Sequence, residues 1–274
     1  MKLMYITNSP KVALIAENAG VDRIFIDMEY IGKNLRQGGM DTVQNHHTLD
    51  DIAAIRRVLT KSELLVRINP VHDATEDYCS TEEEIENVIN AGADIIMLPY
   101  FKTASEVERF LNAVDGRCKT VLLFETKSAV ENIDEILRNE KIDEVYIGLN
   151  DLSLDYGYKF MFKPLACGMV ESIAEKFKEK NLSFGFGGIA ALGTGMLKSE
   201  KILAEHFRLG SSCVILSRSF CNLSVAIDDN TLSEIFTNGV KQIREYLSSL
   251  SLKDKRFFED NTLEIRSIVD TICK

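Results

Sequence analysis

Apolar residues along the chain gather into short β-branched runs. Each run is followed by a longer stretch in which apolar positions recur every three or four residues. The runs lie at 3–7, 23–27, 64–68, 95–98, 120–124, 144–147, 183–186 and 213–216. They are short and nearly all apolar inside, the pattern of strands covered on both faces of a parallel sheet. The stretches between them read as amphipathic helices at 10–19, 48–59, 80–91, 105–114, 128–137 and 165–180. Helix 10–19 stops at Gly20. Helix 48–59 opens on Thr48 and carries Leu49, Ile52, Ile55 and Leu59 on one face. Helix 80–91 opens with Ser80-Thr81-Glu82-Glu83, in which Ser80 and Glu83 match a capping box, and it ends at Gly92. Alternation of strand and helix over about 220 residues predicts a (β/α)8 TIM barrel in preference to a doubly wound open sheet, because the strand count is that of the barrel.

Two segments exceed a minimal barrel. Residues 31–45 follow the second strand and residues 70–79 the third. Both lie after C-terminal strand ends, the side on which barrels build their sites. The expected organisation is a barrel catalytic domain over 1–250. A C-terminal extension follows over 251–274: a charged turn at 253–256, then a helix at 261–272. It is expected to pack on the barrel or at a subunit contact.

Charge narrows the partners. The 274 residues hold 42 acidic and 32 basic side chains, a formal net charge of −10, with no basic cluster. This excludes phosphate-tracking of a duplex as an activity and gives the expectation of no nucleic-acid partner. No apolar run approaches the length of a membrane span, so no membrane partner is expected. Six cysteines are scattered without a CxxC, which removes a zinc ribbon or a thioredoxin motif and suits a reducing, cytoplasmic setting.

Polar residues stand where the predicted strands end. These are Asp27-Met28-Glu29-Tyr30 after the second, Arg67-Ile68-Asn69 after the third and Glu125-Thr126-Lys127 after the fifth. Gly148-Leu149-Asn150-Asp151 follow the sixth, and Gly185-Phe186-Gly187-Gly188 lie at the seventh. Two carboxylates on neighbouring ends, Glu125 and Asp151, suit a hard divalent cation, Mg2+ or Mn2+, which takes oxygen ligands and fills its shell with water and substrate. Arg67 can grip a carboxylate through paired hydrogen bonds, and metal plus arginine is what a 2-oxo acid or its enolate needs. The alternative at this stage is a structural ion pair between Glu125 and Arg67. Gly148, Leu149 and Asn150 are expected to line the substrate. Lys33, Arg36 and the glycine segment 185–188 are candidates for a second anionic group.

These segments carry a resemblance. Ala19-Gly20-Val21-Asp22 leading to 24–29, then Leu65-Val66-Arg67-Ile68-Asn69, then residues 91–99, 124–129 and 142–153, run in order across most of the chain. Together they resemble the HpcH/HpaI aldolase and citrate lyase β-subunit family, within the phosphoenolpyruvate/pyruvate TIM-barrel superfamily. The resemblance implies a class II aldolase-type or citrate lyase-like enzyme that joins or splits carbon–carbon bonds through a metal-bound enolate. It implies Glu125 and Asp151 as metal ligands, Arg67 on the 2-oxo acid and Glu29 beside the metal's water shell. It also implies a homo-oligomer, a trimer or hexamer. One position departs. The aldolase branch has histidine after Asp-x-Glu, for proton transfer, where this chain has Tyr30, whose ordinary pKa of about 10 makes a poor base. His46, His47 and His72 are the candidate replacements, with His46 grouped with Tyr30, Glu29 and Arg67 as the catalytic set. Phosphoenolpyruvate-type chemistry on the same site, or a catalytically silent barrel serving as a binding or scaffold subunit, are the alternatives.

Overall fold

Each apolar run becomes a strand and each amphipathic stretch a helix or a pair of helices. A computed structural model describes residues 1–32, 47–221 and 228–274. The order is β1 (Lys2–Ile6), α1 (Pro10–Asn18), β2 (Arg23–Asp27), α2 (Leu49–Val58), β3 (Glu63–Arg67), α3 (Thr81–Asn90), β4 (Ile95–Leu98) and α4 (Ala104–Val114). It continues with β5 (Lys119–Phe124), α5 (Lys127–Glu131), α6 (Ile133–Ile136), β6 (Glu144–Ile147), α7 (Leu149–Asp155), α8 (Lys163–Ala166) and α9 (Met169–Glu179). It ends with β7 (Ser183–Ile189), α10 (Ser199–Leu209), β8 (Cys213–Leu216), α11 (Asp229–Leu250) and α12 (Lys255–Ile272). All strand pairs are parallel, and β8 closes on β1, so the sheet is a closed barrel with helices outside it and added helices at the C-terminal end.

Side chains alternate across each strand, so residues two apart share a face. Leu3, Tyr5, Ile24, Ile26, Leu64 and Val66 point outward into the large core between strands and helices. Met4, Phe25, Leu65, Met97, Leu123 and Tyr146 fill the barrel's interior as a second, smaller cluster. The same alternation puts charge at both ends of that interior. At the base, Arg23 is fully buried; its Nη1 and Nη2 donate to Glu144 at 2.7 and 2.6 Å, and its Nε donates to Glu63 at 2.9 Å. Lys2 and Lys119 also reach Glu63, and together these cations hold its carboxyl at about 2 despite burial. At the top stand Asp27, Arg67 and Glu125.

The helix ends differ from the sequence reading in instructive ways. Thr48 with Asp51, and Thr103 with Glu106, form complete capping boxes. At Ser80 only half forms: its hydroxyl accepts from Glu83 N–H, but the Glu83 side chain does not return to the cap. The expected helix 128–137 divides at Asn132. The expected helix 165–180 divides at Gly168, whose φ of +88° is a left-handed conformation that closes one helix before the next begins. The last helix starts at Lys255 because Asp254, in the expected charged turn, is its N-cap and accepts from Phe257 N–H. That helix lies along α10 and α8. Asn261 and Thr262 donate to Glu205, Phe258 stacks on Phe207, and Lys163 pairs with Asp270 at 2.7 Å.

His206 of α10 is buried flat against Phe186, ring centroids 3.7 Å apart, with Nδ1 2.7 Å from Ser211 Oγ. Burial pushes its pKa down to about 3, so the ring is neutral. All six cysteines are free. Among the described residues no helix is long and apolar enough to cross a membrane.

Candidate active site

A cavity of about 860 Å³ opens at the C-terminal ends of the strands. It takes walls from all eight strands and from several of the loops that follow them. A second cavity, about 930 Å³, lies at the opposite end, among Thr60, Glu63, Asp94, Lys119 and Asp143. Its charges pair with one another, Lys119 with Glu63 and Arg56 with Asp94, both at 2.7 Å. The upper cavity is where the sequence-derived groups meet.

Arg67, the last residue of β3, faces Asp27, the last residue of β2, across the strand register. Arg67 Nε donates to Asp27 Oδ1 at 2.9 Å and Nη2 to Oδ2 at 2.8 Å, a paired grip on one carboxylate. Glu29 Oε2 lies 3.3 Å from Nη1. Burial alone would pull the guanidinium pKa down; the charges of Asp27 and Glu29 outweigh it and hold it well above its ordinary value. The expected alternative, an Arg67–Glu125 ion pair, does not form: Glu125 acts on Arg67 only through its field. Two bonds to Asp27 use two of the five guanidinium N–H groups, so the fork keeps donors for an oxyanion.

Asp27 also fixes a histidine. Its backbone N–H donates to His47 Nδ1 at 3.0 Å, and His47 is buried in the cavity wall. A neutral ring that accepts at Nδ1 carries its proton on Nε2, so it is a donor on that side, not a base. The segment after β2 is tied to β3 by Asn69, whose Oδ1 accepts from the N–H groups of Tyr30 and Ile31 at 2.8 and 3.0 Å. Asn69 in turn donates through N and Nδ2 to Glu84 of α3, a buried carboxyl whose pKa is raised by desolvation. Tyr30 belongs to this segment and, though expected in the catalytic set, is not among the residues that line the cavity. Burial, with the fields of Asp27 and Glu84 behind it, pushes its phenol up to about 12, so it keeps its proton.

Glu125, just beyond β5, is buried and accepts at Oε1 from Tyr100 N–H, 3.1 Å away. Gly148 makes room for it. A Cβ on Gly148 would fall 2.6 Å from Glu125 Oε2 and 2.8 Å from Glu125 Cβ. Asp151, in the first turn of α7, is also buried, lines the same cavity and accepts from Asn150 Nδ2 at 3.1 Å. Among the described residues no three His, Cys, Asp or Glu side chains gather as a metal cage. Two buried carboxylates on one wall are nevertheless a hard-oxygen donor pair, which fits Mg2+ or Mn2+ with water and substrate completing the shell.

On the far wall β7 is irregular. Its pairing with β8 slips between Gly185 and Gly188, leaving Gly187 in a bulge with φ +55°. The Tyr146 hydroxyl of β6 fills the gap, donating to Gly187 O at 2.6 Å and accepting from Ile215 N–H at 3.1 Å. Ser217, Arg218 and Ser219 follow β8 into the cavity lining.

Of the residues expected from sequence, Arg67, Gly148, Leu149, Asn150, Glu125 and Asp151 line this cavity, and Glu29 backs Arg67. His46, Lys33 and Arg36 lie outside the described residues. His72 is held between Pro70 O and Cys79 O, 2.8 Å from each, and does not line the cavity. Sequence reasoning gave no role to Asp27, Asn69, Glu84 or residues 217–219. The signal for Asp27 was present: an acid and an arginine end adjacent strands at matching positions.

Three comparisons bear on this site. A family model described as HpcH/HpaI aldolase/citrate lyase matches residues 2–163. Among curated proteins, 2-keto-3-deoxy-L-rhamnonate aldolases of Escherichia coli and Shigella sonnei are 25% identical, over 54% of this chain. The chain spans little more than half, 58%, of those relatives' length. Among solved structures, an HpcH/HpaI aldolase from Desulfitobacterium hafniense has a TM-score of 0.60 at 18% identity, covering 89% of this chain and 93% of that one. An HpcH/HpaI aldolase/citrate lyase family protein from Burkholderia cenocepacia has a TM-score of 0.60 at 15% identity, covering 80% and 89%. At these identities the two structures speak to the barrel.

Proposed function

The chain belongs to the HpcH/HpaI aldolase/citrate lyase family, and from that premise we propose that it is a divalent-metal-dependent carbon–carbon lyase of the aldolase type. Its substrate is a 2-oxo acid or a related acyl compound. Family membership supports an aldolase- or lyase-type active site in general. The finer reading rests chiefly on one observation: a guanidinium gripped by Asp27 shares a cavity with two buried carboxylates from neighbouring strand ends.

Glu125 and Asp151 are the residues that would hold Mg2+ or Mn2+. The bound cation would supply Lewis-acid stabilisation of negative charge on substrate oxygen. Arg67 binds the developing enolate oxygen or the carboxylate, preorganised by Asp27 so that little reorientation accompanies the reaction. Glu29 and Asp27 keep that guanidinium in place. Gly148, Leu149 and Asn150 form the wall against which the substrate lies. His47, fixed through Nδ1 by the Asp27 N–H, forms part of the wall beside Arg67. Tyr30 stays protonated in the working pH range and supports the loop.

Proton exchange tests this reading. The purified protein is incubated with pyruvate in D2O, with and without Mg2+ or Mn2+, and the methyl proton signal is followed by NMR. Metal-dependent loss of signal, reduced about 100- to 1000-fold by Arg67→Ala and abolished by Asp151→Ala, is the expected result. Exchange that is absent with every metal overturns it and favours the scaffold reading, and exchange indifferent to Arg67 overturns the role given to that residue.

A further inference from the structure

The support of Arg67 continues outward, away from the cavity. Asn69 stands two residues beyond Arg67, and Glu84 lies in the first turn of α3. Both are buried, and neither lines the cavity.

Their geometry settles the Asn69 amide. Its Oδ1 accepts from the N–H groups of Tyr30 and Ile31, at 2.8 and 3.0 Å. Its Nδ2 donates to Glu84 Oε1 at 2.8 Å, and its backbone N–H donates to the same oxygen at 3.2 Å. A flipped amide would set its NH2 against two N–H donors and its oxygen against a carboxyl acceptor, so the network satisfies this orientation and not the other. Among the described residues Glu84 Oε2 finds no hydrogen-bond partner, so the role of Glu84 is carried by one acceptor oxygen. Desolvation raises the pKa of this carboxyl, and the two bonds from Asn69 and the field of His72 oppose that rise.

The amide holds the far end of the segment that carries Glu29. The near end is anchored separately: Met28 N–H donates to Arg67 O at 2.9 Å, and Glu29 N–H donates to Asp27 Oδ1 at 3.3 Å. Glu29 thus sits in a short backbone bridge fixed at both ends, with its buried carboxylate 3.3 Å from Arg67 Nη1. Releasing the far end would free that carboxylate and leave the guanidinium held by Asp27 on one side.

We propose that Asn69 and Glu84 are positioning residues for the reaction. Glu84 orients the Asn69 amide, the amide fixes the backbone at Tyr30 and Ile31, and that backbone sets Glu29 against Arg67. The aim of the guanidinium is then governed in part from α3, outside the barrel. The inference rests on the role given to Arg67 above.

Pyruvate exchange with Mn2+ tests it in Asn69→Ala, Glu84→Leu and Glu84→Gln, each alone and combined with Arg67→Ala. Two readouts are independent of activity: Mn2+ binding by EPR, and the 15N NMR signal of Arg67 Nε–H, assigned by its loss in Arg67→Lys. Asn69→Ala and Glu84→Leu are expected to slow exchange about 10- to 100-fold and to move the Arg67 signal. Glu84→Gln keeps the acceptor oxygen and is expected to stay within about threefold of the wild type, with the signal in place. Mn2+ affinity should be unchanged in all three, because Glu125 and Asp151 stand beyond β5 and β6. With Arg67 already removed, the same substitutions should slow exchange further by less than about twofold. An Arg67 signal that stays put in Asn69→Ala and Glu84→Leu overturns the proposal. Equal losses with and without Arg67 also overturn it, as does a loss in Glu84→Gln as deep as in Glu84→Leu. A fall in Mn2+ affinity that matches the fall in exchange assigns the effect to general disturbance and overturns it too. Asn69→Ala carries the test if Glu84→Leu does not fold. If the wild type exchanges nothing, or exchanges regardless of Arg67, the reading above fails and the Arg67 signal alone decides: its shift in the two variants upholds the positioning, and its constancy sinks it.

Discussion

At the scale of single residues, the site is a set of side chains that restrict one another. Gly148 is there because Glu125 occupies the volume where a Cβ would sit. Gly148→Ala is therefore expected to swing the Glu125 carboxylate away from Asp151 and weaken Mn2+ binding at least about tenfold, a shift readable by EPR of added Mn2+. Circular dichroism of the same sample should show an intact barrel, because the φ of −81° at this position suits alanine. Arg67→Lys tests the paired grip. A lysine keeps the charge but offers no fork, so pyruvate exchange should fall nearly as far as with alanine. Much of this scale was legible from sequence. Arg67, Glu125 and Asp151 announce themselves as charged residues at the ends of apolar runs. For Asp27 the sequence showed an acid and an arginine ending adjacent strands, but the paired grip itself needs the strand register, which periodicity leaves open.

Among the elements, β2, β4, β6 and β8 coincide with the runs read from sequence, because an apolar segment buried on both faces ends where polar residues begin. Breaks inside helices were less legible. Gly168 and Asn132 split two expected helices through backbone conformations that an amphipathic pattern does not encode. The β7 bulge was invisible for a different reason. It exists because a hydroxyl from a neighbouring strand, Tyr146, replaces ladder hydrogen bonds, and no local signal in residues 183–189 contains that partner. Caps can be tested directly. Thr103→Ala removes the hydroxyl that accepts from Glu106 N–H and should cost about 1 kcal/mol in urea unfolding. Ser80→Ala should cost less, because only one of the two reciprocal bonds exists there.

For the molecule as a whole, acid sensitivity follows from one buried and one half-buried group. His206 is neutral when folded, with a pKa lowered to about 3, whereas the unfolded chain takes up its proton near the ordinary 6.5. Its contribution is thus complete above 6.5 and is lost as pH falls toward 3. Between pH 6.5 and 4.5 this amounts to about 2–3 kcal/mol. Glu63, held at about 2 by Lys119, Arg23 and Lys2, adds a second loss as pH drops from its unfolded value toward 2. Thermal unfolding across this range should show the early loss in the wild type and a flatter profile in His206→Phe. That variant keeps the stack on Phe186 and leaves Ser211 its carbonyl partners. A slope unchanged by the substitution would assign the acid sensitivity elsewhere.

The sealed base of the barrel has a kinetic meaning. Arg23 and its carboxylates close the axis from below, and the Met4, Phe25 and Leu65 layer stops it from within. Among the described residues the chamber is a cul-de-sac, closed below and open at the C-terminal strand ends. If the proposed lyase reading holds, two fragments formed inside it would leave in turn, the one nearer the doorway first, and the one anchored deepest would hold the place until it goes. Such a queue predicts that the fragment bound at Arg67 inhibits competitively with the incoming substrate. The fragment nearer the doorway inhibits noncompetitively.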